Sequence, residues 1–103
     1  MKLNDLLGKY ILSELATPSN FRLGEEIFKS GKVEVLSLDE SHAEAKVSGG
    51  QKRRTEIEAE DDVLKWKCSC LGKRSHIFCK HCVALAMTII EINIVHSNGH
   101  LLE

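Results

Sequence analysis

Leu3, Leu6, Leu7, Tyr10, Ile11 and Leu15 recur at the spacing of one helix face, with Asn4 or Asp5 placed to start that helix and Thr17-Pro18-Ser19-Asn20 to stop it. A second helix is predicted from Ser19 or Asn20, carrying Leu23, Ile27 and Phe28 and closing at Gly31, a residue suited to the left-handed cap. The period then drops to two. Val33 and Val35 alternate in one phase and Leu36 and Leu38 in the other, which predicts a β-bulge between Val35 and Leu36. After the polar turn at DESH, residues 39–42, come Ala43, Ala45 and Val47. After Gly49-Gly50, Ile57 and Ala59 alternate with Glu56, Glu58 and Glu60. In VLKWKCSC, Leu64, Trp66 and Cys68 share one face and Lys65 and Lys67 the other. From Val83 the run VALAMTIIEI is apolar almost all round and predicts a helix buried against the sheet and the N-terminal helices. The fold class is therefore α+β: N-terminal helices over 1–31, an antiparallel sheet of about four strands, and a strand, loop and helix at the C-terminus, with 96–103 as a tail.

At 103 residues, 43% hydrophobic and 28% charged, the chain reads as one small folded domain whose core supplies modest stability unless something staples it. No stretch reaches the roughly 18 continuous apolar residues of a membrane span. Asp5, Gly8 and Lys9 interrupt the first apolar stretch, so it does not read as a secretory signal. The expected location is the cytoplasm, or the nucleus in a eukaryote. All four cysteines fall within 68–82, and thiols clustered with histidines in a reducing compartment point to metal rather than to disulfides.

That stretch is CSCLGKRSHIFCKHC. Cys68 and Cys70 converge on one ion if the strand ends in a tight turn, which Gly72 helps to make. Cys79 before a helix and His81 in its first turn supply the opposite pair, where the helix N-terminus also favours a thiolate. Cys68, Cys70, Cys79 and His81 make a closed tetrahedral set of the kind structural Zn2+ takes. An all-cysteine set with Cys82 in place of His81 is the rival. Cys82 shares a helical face with Leu85, Ala86 and Ile89, where a small buried hydrophobe belongs. His76, among Lys73, Arg74 and Ser75, reads as a solvated loop residue.

The pattern CxC, eight residues, then CxH running into an apolar helix resembles the SWIM zinc finger. RLGEEIFKSGKVEVL, AEAKVSGG and LKWKCSCLG resemble, in order, the parts that precede that finger, so the resemblance spans about 21–90 with the finger itself at 64–90. Cysteine at 82, where the family usually has an aliphatic residue, is a departure. The resemblance implies zinc binding and recognition of DNA or protein.

Residues 50–82 hold eight basic side chains, Lys52, Arg53, Arg54, Lys65, Lys67, Lys73, Arg74 and Lys80, against five acidic ones, whereas the rest of the chain holds six against ten. The asymmetry predicts a basic face suited to the phosphates of DNA or another nucleic acid. The alternative is an adaptor for a separately encoded ATPase or recombination partner, docking through the first helix. His42-Ala43-Glu44 with Cys79-x-x-Cys82 has the outline of a zinc deaminase. Phe78 stands where that chemistry has proline, and Cys68 and Cys70 would go unused, so no enzyme is expected. The oligomeric state is left open.

Overall fold

The computed structural model describes residues 3, 7, 12–49, 51–61, 63–69 and 77–102, apart from the side chains at 13, 49, 51 and 93–102. Leu3 and Leu7 are helical and almost fully buried; Leu6, Tyr10 and Ile11 of the expected first helix lie outside the described residues. Helix α1 spans Leu12–Leu15 and α2 spans Pro18–Lys29. Thr17 and Pro18, expected to stop the first helix, in fact begin the second. The Thr17 side-chain oxygen accepts from the Asn20 amide at 3.2 Å, and Pro18 occupies the first helical position, where its missing N–H costs nothing.

The end of α2 is a Schellman cap. The Lys32 amide donates to the Ile27 carbonyl and the Gly31 amide to that of Phe28, with Gly31 at φ +68°, the left-handed conformation that glycine adopts without strain.

Four strands follow, β1 (Val33–Leu38), β2 (His42–Gly49), β3 (Gln51–Glu60) and β4 (Val63–Cys68), in the order β1-β2-β3-β4 and antiparallel throughout. The register between β1 and β2 slips between Val35 and Ser37. Leu36 is the extra residue, and the phase change in the sequence is the predicted bulge. The turn at Asp39–Ser41 is held by the Asp39 carboxylate, which accepts from the amides of Ser41 and His42 at 2.8 Å each. These donors keep its pKa below the ordinary carboxylate value, the Ser41 amide foremost.

One face of the sheet carries Ala43, Ala45, Val47, Thr55 and Ile57, each fully buried. Against it lies α3, Lys80–Leu102, which is also covered by α2 on its far side. Residues 81–86 are consequently buried on every face of the helix, the environment that an all-round apolar helix requires. The expected tail at 96–103 is instead helical through Leu102. The His-Ser-Asn-Gly sequence has weak helix propensity, but one interior glycine costs only about 1 kcal/mol against alanine and does not end a helix by itself.

Small side chains set how closely these layers approach. A Cβ added to Gly24 of α2 would stand 2.5 Å from Val83 Cβ and 2.7 Å from the Lys80 carbonyl oxygen. The carbonyl is backbone and cannot rotate away, so the helices would have to separate. Gly24→Ala is expected to destabilise the protein by on the order of 2 kcal/mol, overpacking outweighing the better helix propensity of alanine. A urea titration unchanged from wild type would show that α2 and α3 are not in this contact.

Candidate metal centre

Strand β4 delivers Cys68 to the inner face because Leu64, Trp66 and Cys68 alternate with the outward Lys65 and Lys67. The ladder is prolonged past Cys68 by Ser69, whose amide donates to the Arg54 carbonyl at 3.0 Å, while its hydroxyl oxygen accepts from the Arg54 amide at 3.0 Å. Cys79 sits immediately before α3, and its carbonyl accepts the Val83 amide at 3.0 Å. His81 follows in the first turn. The two elements bring three ligand atoms together: Cys68 Sγ, Cys79 Sγ and a His81 ring nitrogen all lie within 4.8 Å of one another, and all three residues are buried.

The distances fit a metal. Zinc–sulfur bonds of about 2.3 Å and zinc–nitrogen bonds of about 2.0 Å at tetrahedral angles separate sulfur from nitrogen by roughly 3.6 Å. His81 Nδ1 is 3.6 Å from Cys68 Sγ and 3.7 Å from Cys79 Sγ. Cys70, the expected fourth ligand, lies outside the described residues, as do Gly72, Lys73, Arg74 and His76. Cys68, Cys79 and Cys82 carry no disulfide.

Cys82 touches this group without belonging to it. Its sulfur is 3.7 Å from Cys79 Sγ, but it is not one of the atoms that lie mutually within reach. Fully buried beside Val83, Leu85 and Ile89, it takes the core position that helical phase assigns to it. The two thiols are polarised in opposite senses. Hydrogen bonding to the Cys68 sulfur, then to Cys82 and His81, drives the Cys79 pKa far below the ordinary thiol value. Hydrogen bonding to Cys79, followed by burial, drives that of Cys82 far above it. Cys79 is thereby set up as a thiolate ligand and Cys82 as a neutral thiol beside it.

The family model of the SWIM zinc finger matches residues 53–90. Over that stretch the chain is similar to a SWIM zinc finger. No curated protein and no solved structure matches the chain. The matched residues include the end of the sheet and the start of the helix that meet at the buried cluster, so the family pattern and the geometry mark the same place. The cluster fits a single structural zinc ion, which Cys68, Cys79 and His81 would help to hold.

Spacing along the sequence does not single out two further residues of this centre. Thr55, fully buried, faces Cys68 across the β3–β4 ladder, with its hydroxyl 3.3 Å from Cys68 Sγ. A metal-bound thiolate only accepts, so the threonine hydroxyl is the donor in the loaded finger. Phe78, also buried, meets Trp66 edge to face with centroids 5.0 Å apart. That pair ties β4 to the segment entering α3 and contributes about 1 kcal/mol beyond its burial. Trp66 is half-buried on the inner face, as its alternation with Leu64 and Cys68 predicts. The deaminase outline is not assembled: His42 and Glu44 lie on the outer face of β2, where His42 meets Glu56 and Glu44 meets Arg54, on the far side of the sheet from Cys79 and Cys82.

Two predictions test the finger. Structural zinc supplies about 10–16 kcal/mol in small fingers, as much as the whole stability of a typical domain. Cys68→Ser and His81→Ala should therefore lose zinc and unfold the C-terminal half, whereas Cys82→Ala should keep one zinc per chain. Metal content and circular dichroism melts measure both, and a fully stable, fully loaded Cys68→Ser protein would remove that ligand. Thr55→Val keeps the volume and removes the hydroxyl donor, so zinc affinity should fall at least tenfold in a chelator competition.

Proposed function

We propose that the protein binds nucleic acid, holding the phosphate backbone against the end of the sheet where the zinc centre lies. The observation that supports this reading is the segregation of charge along the strands. The start of β1, the β2–β3 turn and the end of β4 share one end of the sheet, and around it stand Lys32, Lys46, Lys52, Arg53 and Arg54. Lys80 adds to them from the first turn of α3. The opposite end carries Asp39, Glu40, Glu58, Glu60 and Asp61.

Ion pairing further divides the basic residues. Lys65 meets Glu60 at 3.1 Å, Lys67 meets Glu56 at 3.8 Å and Arg54 meets Glu44 at 2.7 Å. Lys32, Lys46, Lys52 and Arg53 make no ion pair among the described residues. Lys32, Lys46, Ser48 and Lys52 border an open hollow of about 220 Å³, with Glu34 as its acidic member. A lysine without a carboxylate partner exchanges only mobile counterions for phosphate, and the release of those ions drives the association. Lys46 and Lys52 are therefore better prepared to receive phosphate than Lys65 and Lys67.

Docking to a protein partner is the second reading, favoured by the edge strand β1, where Leu36 and Leu38 are about 40% exposed. The first helix offers less to it, since Leu3 and Leu7 turn inward.

Anisotropy titrations of zinc-loaded protein against labelled single- and double-stranded oligonucleotides, at several salt concentrations, test the proposal. Saturable binding that weakens steeply with salt is expected. Lys46→Gln with Lys52→Gln should weaken it and reduce the logarithmic salt slope by about one for each phosphate no longer neutralised, whereas Lys65→Gln should leave it near wild type. No binding at low salt would overturn the proposal in favour of the protein-docking reading.

A further inference from the structure

We propose that Cys79 and Cys82 form a peroxide-sensitive modification site, at which a hydroperoxide converts the pair to a disulfide and releases the metal. The inference rests on Cys79 being a zinc ligand. Its own observation is the second sulfur: Cys82 is fully buried, lies 3.7 Å from Cys79 Sγ and is outside the group of mutually close ligand atoms. It stands outside that group, yet its sulfur lies against that of Cys79.

Spacing and location favour this pair. Closing the sulfurs from 3.7 Å to the roughly 2.05 Å of a disulfide is a movement within one helical turn. Joining Cys68 to Cys79 would instead link a strand to a helix. A CxxC pair at a helix N-terminus is a setting in which the first thiolate is stabilised and reactive. Hydrogen peroxide is close to water in size, and Cys79 retains 4% of its surface in solvent.

The chemistry balances in two steps. The Cys79 sulfur attacks one peroxide oxygen; a sulfur–oxygen bond forms, the oxygen–oxygen bond breaks, and hydroxide leaves. The Cys82 sulfur then attacks the sulfenic sulfur; the disulfide forms, the sulfur–oxygen bond breaks, and the departing hydroxide takes the Cys82 proton to leave as water. The two sulfurs are oxidised by two electrons in total and the peroxide is reduced. Cys79 no longer offers a thiolate, so the tie between β4 and α3 is lost. A thiol reductant reverses the change.

The test uses the full chain, with zinc content measured before any oxidant is added. Hydrogen peroxide is then titrated while a chromogenic chelator reads zinc release and mass spectrometry of alkylated peptides maps disulfides. The expected result is one zinc released per Cys79–Cys82 disulfide, with recovery in dithiothreitol and metal. Cys82→Ala, loaded with zinc, should release metal at least tenfold more slowly and without reductant recovery. A disulfide at Cys68 instead, or release from Cys82→Ala with wild-type rate and reversibility, overturns the proposal. A chain with no zinc before peroxide addition overturns the zinc reading separately, and the disulfide map of that metal-free chain still decides which sulfurs pair.

Discussion

Everything in the C-terminal half hangs on one buried point where a strand end and a helix start face each other through two sulfurs and an imidazole. Packed thiols and a ring nitrogen gain little from touching one another in an apolar surrounding; a cation between them turns the same geometry into ligation. The surrounding fold prepares for it. Ser69 extends the ladder past Cys68, Thr55 aims a hydroxyl at the Cys68 sulfur, and the Trp66–Phe78 contact fixes the approach to α3. Zinc is the staple that a core with alanines at 43, 45, 84 and 86 has reason to need.

Burial explains why the ligand helix carries little amphipathic signal. With the sheet on one side and α2 on the other, its first turns have no solvent face to mark. The polar chemistry of the molecule is displaced to the outer sheet face and to the strand ends. There, strand direction alternates with each turn and brings residues distant in sequence to the same end. That is how Lys32, Lys46 and Lys52 gather at the end of the sheet toward which β4 carries Cys68.

Much of this is legible in the chain. Period-two alternation marks the strands, and the slip from Val35 to Leu36 marks a bulge that the register reproduces. Helical phase sets Cys82 on the buried face with Leu85, Ala86 and Ile89. What spacing does not reveal depends on pairing. Thr55 meets Cys68 only because the β3–β4 register sets them opposite each other. A charge tally over 50–82 groups Lys65 and Lys67 with Lys52, although carboxylates from β3 accompany the first two. Thr17-Pro18 is ambiguous for another reason, since the residues that end one helix can cap the next.

The contact at Gly24 bears on how far the zinc finger can be treated as a unit. The family match opens at residue 53, yet a glycine far upstream rests on the backbone and Val83 of the finger's own helix. The N-terminal helices therefore form the second wall of the finger rather than an attachment to it. A segment excised at the family boundary would expose the back of α3, with Val83 uncovered, to water. In this chain the transferable cassette is larger than the motif that names it, and its upstream limit lies at least as far back as α2.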